Sequence, residues 1–161
     1  RLAAGTSGQF LKTLGSGQNP AWGSVVAGLV QVVTFVDTSA TSTTGTTFSA
    51  TTTAVNITPT SASNKIFVIA SSIIDSGTSS QQSGATIFRD STNLCDTTHG
   101  LSQIYTSGDR TIAPCTMHVL DSPNTTSQVT YKVYINENGS SNVEWNGQNT
   151  KAHITAMEVA V

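Results

Sequence analysis

The side chains able to do chemistry in this chain are few: three histidines (His99, His118, His153), two cysteines (Cys95, Cys115) and nine acidic residues. A zinc site would need the imidazoles to converge, with Asp96 or Asp121 as a further ligand. Nothing in their spacing brings them together within one chain. His118 and His153 fall in strand-like segments and read as ordinary strand residues; only a three-fold axis would gather copies of one histidine around an ion. No metal or other cofactor is expected. Glycoside hydrolysis requires two carboxylates at a fixed separation in a cleft. Asp37, Asp75, Asp90, Asp96, Asp109, Asp121 and Glu137 instead flank predicted turns and read as solvated. Glu158 is the exception. It stands in an apolar strand and needs a partner if buried, and Arg89, at the end of another apolar strand, is the expected one. The chain has no Gly-rich phosphate loop carrying a lysine and no Gly-x-Ser-x-Gly elbow. No catalytic set is visible, so an enzyme is not expected. Cys95 and Cys115 either pair across neighbouring strands in an oxidising compartment or serve as two separate small hydrophobes.

The 161 residues (16.7 kDa) include 27 threonines and 21 serines, while charged residues make up only 10% and the formal charge is -2. The surface must therefore be built from hydroxyls, amides and backbone. Without a Lys/Arg cluster there is no electrostatic case for binding nucleic acid or an anionic membrane. The longest apolar stretch is far too short to span a bilayer, so no membrane insertion is expected. The chain starts at Arg1 rather than Met and reads as a fragment or a processed product. Sequons at Asn56, Asn124 and Asn138 read as chance in so Ser/Thr-rich a chain.

Two regions differ in composition. Residues 1–24 carry five glycines and isolated large apolar residues (Leu2, Phe10, Leu11, Leu14, Trp22) that so short a segment cannot bury alone. They form an extended linker, with Gly8 and Gly15 at turns that need positive φ or close approach. Residues 25–161 alternate apolar runs with turn signals. Strands are expected over 25–37, 48–58, 65–74, 85–89, 111–120, 128–136, around Val143–Trp145, and over 152–160. Gln128–Asn136 alternates most cleanly, with Val129, Tyr131, Val133 and Ile135 on one face. Ile154, Ala156 and Glu158 share a face of the last strand. Loops are expected at 38–47, 75–83 and 96–110, and turns at Asp90–Asn93, Asn138–Gly139 (a hairpin) and Asn146–Gly147. Thr, Val and Ile favour strands and no window repeats at helical spacing. The expected fold is all-β, an antiparallel β-sandwich of jelly-roll type. Lys65–Ile74 is apolar on both faces, which favours an obligate oligomer.

GTSGQFLKTLGSGQNPAWG (5–23) resembles the Gly-Thr-Ser-Gly-Gln…Pro-x-Trp linker of bacteriophage tail fibres. NITPTSASNKIFVIAS (56–71), ATIFRDST (85–92), LDSPNTTSQVTYKVYI (120–135) and ITAMEVA (154–160) resemble, in that order, the C-terminal domain of such fibres, many from marine and cyanobacterial phages. Arg89–Asp90–Ser91 departs from the Arg-Gly-Ser of many relatives; Asp90 is expected to make the turn through its side chain. The resemblance implies a homotrimeric virion appendage, made in the host cytoplasm and joined to other virion tail proteins. The linker would thread three chains around one axis, burying Leu11, Leu14 and Trp22 between them, or else those residues pack on their own domain. The Arg89–Glu158 pair would hold a subunit interface.

The function implied is attachment of a fibre tip to a host-surface glycan or other receptor. Loops at 75–83, 96–110 and 136–151 would supply the contacts. Tyr105 and Trp145 are the aromatic residues in or near them, suited to stacking on sugar rings; Trp145 reads equally as a core residue. The alternative is a structural part with no receptor: a head fibre, a decoration protein or a spacer.

Overall fold

β-Branched residues crowd at χ1 and fit a pleated surface better than a helical one. In the computed structural model, which describes residues 2–24, 28–77, 80–139 and 141–161, every regular element is a strand. Gln9–Lys12 (β1) and Ala21–Ser24 (β2) pair only with each other. The remainder stacks as two antiparallel sheets. The first contains Leu29–Asp37 (β3), Thr41–Thr43 (β4), Lys65–Ser76 (β6), Thr111–Asp121 (β10), Val143–Trp145 (β12) and Ala152–Val159 (β13). The second contains Ser49–Ile57 (β5), Ser80–Arg89 (β7), Thr92–Asn93 (β8), Ser102–Ser107 (β9) and Val129–Asn138 (β11).

Across the first sheet the order is β3-β13-β6-β10. The short β4 and β12 prolong the lines of β3 and β13 beside the far end of β6. Across the second it is β5-β11-β7, with β8 and β9 both on the outer edge of β7. Two four-strand layers with the chain passing between them give the jelly-roll arrangement of a sandwich. The core is where their inner faces meet. Val55, Ile57, Ile87, Tyr131, Val133 and Ile135 from the second sheet lie among Ile66, Val68, Ala70, Ile74, Met117 and Ile154 from the first. Val129, Tyr131, Val133 and Ile135 all point inward, as their alternation requires.

Several expected boundaries move. β6 and β7 are long and leave only a short link after Ser76, so no loop fills 75–83. β9 lies inside the unpatterned stretch 96–110, and β4 inside 38–47. The hairpin expected at Asn138–Gly139 does not form, because β11 and β12 belong to different sheets and the chain crosses between them. Local propensity describes the turn but not which layer the next strand joins. The expected strand over 25–28 falls partly outside the described residues.

The N-terminal segment is a hairpin rather than an open thread. Gly8 and Gly15 do adopt positive φ, 84° and 105°. Gly5 lies directly against the Trp22 indole: a Cβ there would come within 2.6 Å of the ring. The indole N–H donates to the Ala3 carbonyl at 2.7 Å. The Gly5…Trp22 spacing of this segment is therefore a local clasp.

Candidate functional site

The sandwich has two ends. The proximal one holds the start of β3, where Ala160 N–H donates to Gly28 O. Here the expected Arg89–Glu158 pair does not exist. Arg89 donates to both Asp121 oxygens at 2.7–2.8 Å, and the Tyr131 hydroxyl donates to the same carboxylate at 2.7 Å, fastening one sheet to the other. Burial and the neighbouring Asp121 charge push the Tyr131 phenol up.

Glu158 is fully buried within its own chain, so it is not an exposed interface residue. It accepts hydrogen bonds from Gln31 Nε2, the Thr60 N–H, the Thr60 hydroxyl and Asn64 Nδ2, all at 2.6–2.8 Å. Burial alone would raise its pKa; those donors outweigh it and bring the carboxyl down to about 2. A neutral cradle can hold a carboxylate as well as a guanidinium does, and only the fold reveals one. Asp90 does not make its turn through its side chain alone: it takes a φ of 52°, the conformation a glycine would supply, while its carboxylate accepts from the Thr130 N–H of the neighbouring β11.

The distal end carries a polar cleft of about 200 Å³ lined by Asp75, Gly77, Arg110, Ser141, Asn142 and Glu144. β6 delivers Asp75 near its end and Gly77 just beyond it, the turn before β10 delivers Arg110, the crossover into β12 delivers Ser141 and Asn142, and β12 itself delivers Glu144. Asp75 is buried, contrary to the solvated role expected of it, and receives Arg110 Nε at 2.8 Å and Nη2 of the same side chain. Gln148 Nε2 donates to it at 3.3 Å. The pairing raises the Arg110 pKa further and fixes the guanidinium plane, half of which remains open to solvent. Beneath the cleft, Gln81 Nε2 donates to Ser76 Oγ (2.7 Å) and to the Asn142 carbonyl (3.2 Å). A fixed guanidinium, a second carboxylate and an amide within one small cleft can bind a ligand rich in hydroxyls.

Below that floor Glu137 is also buried, with neither carboxylate oxygen accepting a hydrogen bond of ordinary geometry. Burial raises its pKa, and the nearby Ser141 N–H offsets only part of that. Asp37 is a fourth buried carboxylate, accepting from Ser39 N–H, Thr52 and Thr53; together these outweigh burial and lower its pKa. Asp37, Asp75 and Glu137 were expected in solvent. Acids next to turns do face water when the turn is an open hairpin, but here the turns fold over the ends of the sandwich.

Trp145 cannot contact a receptor: it is fully buried, with its indole N–H donating to Thr53 Oγ1 at 3.0 Å. Tyr105 is 64% exposed on β9, opposite Gln82 near the distal end, and remains free to stack on a ligand. In the N-terminal hairpin, Leu11, Leu14 and Trp22 are all exposed, Leu11 lining a cleft of about 440 Å³ with Leu2, Asn19 and Pro20. Cys95 is exposed and Cys115 buried, both free thiols. The histidines stay apart, and no group of three His, Cys, Asp or Glu side chains among the described residues could hold a metal. Arg110, Ser141, Asn142 and Glu144 escaped sequence reasoning. No spacing rule joins an arginine to an aspartate 35 positions earlier.

No protein-family model matches this sequence, and no curated protein matches it.

Proposed function

We propose that this chain is the terminal domain of a bacteriophage tail fibre, carried on the virion as a homotrimer, and that its distal end attaches to a hydroxyl-rich molecule of the host surface. The observation that carries this reading is an arrangement with two distinct ends. The Gly5–Trp22 clasp of the fibre-like linker precedes the proximal end. The opposite end presents the Arg110–Asp75 cleft, with Tyr105 exposed at the same end. The fibre-like pieces 56–71, 85–92, 120–135 and 154–160 supply the strands and turns between them. A planar guanidinium already held by a carboxylate can donate to sugar hydroxyls without a large desolvation cost, and a flanking aromatic can add stacking.

The test is an array of bacterial surface polysaccharides and lipopolysaccharides probed with the 161-residue protein and with Arg110→Ala and Tyr105→Ala. Attachment predicts saccharide binding that weakens at least tenfold in both variants. A wild-type protein that binds no member while remaining a stable oligomer would favour the alternative, a structural spacer, decoration or head-fibre role.

A further inference from the structure

The outer faces of the two sheets differ. That of the second sheet carries the charged Lys132 with Thr52, Asn56 and Thr130, beside an aromatic cluster of Phe48, Phe88 and Tyr134 that already pack on one another. That of the first sheet mixes apolar side chains with hydroxyls and imidazoles in about equal number and carries no carboxylate, ammonium or guanidinium in its middle rows. Reading across its registers, Val32, Met157, Phe67 and Leu120 form one row; Thr34, Thr155, Ile69 and His118 form the next. Val36, His153, Ser71 and Thr116 follow. Val32 and Leu120 are more than half exposed. These rows hold no Asp, Glu, Lys or Arg. Charge enters only at the two ends, with Lys65 at one and the Asp75–Arg110 pair with Glu144 at the other.

We infer that this face, the outer surface of β3-β13-β6-β10, is where copies of this chain meet. The inference rests on the oligomeric fibre reading and adds the surface that serves it. Strands of 8 to 12 residues, about 34 Å long on average and four abreast at about 4.8 Å, give a face on the order of 650 Å². A standard protein interface buries about 800 Å² per partner. The area approaches what a standard interface buries on each partner. Its anatomy also fits: an apolar row of Val32, Met157, Phe67 and Leu120 beside rows of hydroxyls, imidazoles and aliphatics, with charges confined to the rim. A nucleic acid or an anionic partner would require basic groups in the centre, and there are none. A second copy meets the centre with groups of the same kind and leaves no charge buried.

Light scattering on the full chain tests this. Wild type is expected at about three times 16.7 kDa. Ile69→Lys, and separately Val32→Lys with Leu120→Lys, are expected to reduce the mass threefold with an unchanged β-sheet circular dichroism spectrum, since these side chains point away from the core. Retention of the wild-type mass in both would overturn the inference. If mass is retained there but lost in a Leu11→Ser/Leu14→Ser chain, assembly resides in the N-terminal hairpin; the inference fails and the fibre reading survives. A wild type of 16.7 kDa at every concentration sinks both. Should the lysine variants misfold, thiol labelling decides. In a Cys95→Ser/Thr155→Cys chain, maleimide should react at least tenfold more slowly at the introduced thiol than at Cys95 of the wild type. Equal rates would mean an open face.

Discussion

Glu158 and Glu137 are both glutamates on inward-facing strand positions, and their surroundings give them opposite roles. Glu158, held ionised by three neutral side chains and one backbone amide, has a folded pKa of about 2 against an ordinary 4.5. Its stabilising contribution is complete above pH 4.5 and fades as pH falls towards 2. Glu158→Gln should lower stability at pH 7 by roughly 2 kcal/mol, about 4–8 °C in Tm, because an amide cannot accept from all of those donors. The gap between variant and wild type should close as a thermal melt series approaches pH 2. Glu137 has the reverse sign. Its folded pKa is raised, so it favours the folded state most below pH 4.5 and loses that contribution as pH rises through the folded value. Glu137→Gln should raise Tm at pH 7 by a few degrees and lose that advantage in acid. Equal melts at pH 7 would mean that solvent reaches the carboxylate. Neither environment could be read from the sequence, since Gln31, Thr60 and Asn64 are distant along the chain from Glu158 and carry no charge to betray the pairing.

At the scale of elements, the N-terminal hairpin pairs only with itself. Gly5→Val would push a side chain into the Trp22 ring and break the indole bond to Ala3. Iodide should then quench Trp22 fluorescence more strongly, with Trp145 as the buried internal reference and the sandwich melting temperature unchanged. A lowered melting temperature would mean that the hairpin braces the sandwich. Strand existence was legible across most of the chain because alternation and β-branching are local properties: β10, β11 and β13 fall within about two residues of their expected bounds. Which sheet each strand joins was not legible. Asn138–Gly139 has the composition of a hairpin turn, yet the residues after it find their partners in β6 and β4 because Val143 and Trp145 bury more surface there. The doubly apolar character of β6 was visible from Lys65 onward and corresponds to one face in the core and one face on the outer sheet surface. The distal cleft is lined by the three segments expected to supply contacts, 75–83, 96–110 and 136–151, but the pairing of Asp75 with Arg110 was not legible, because topology alone brings those residues together.

For the whole molecule, the pairing of β13 with both β3 and β6 sets a sequence in time. Among the described residues β3 pairs with no strand but β13, so Leu29–Asp37 must wait for a strand that begins roughly 115 residues later. A ribosome adding about 5–20 residues per second needs roughly 6–25 s to cover that distance. Throughout that interval an apolar strand with unsatisfied backbone groups is exposed, the kind of segment that pairs with another chain if it can. A chain ending before Ala152 should therefore collect in the insoluble fraction, and adding a synthetic 152–161 peptide during refolding should recover soluble protein. Soluble, folded protein without that segment would show that β3 finds shelter elsewhere. The last strand thus acts as a keystone: every earlier piece can be in place, and the arch still stands only when it is inserted.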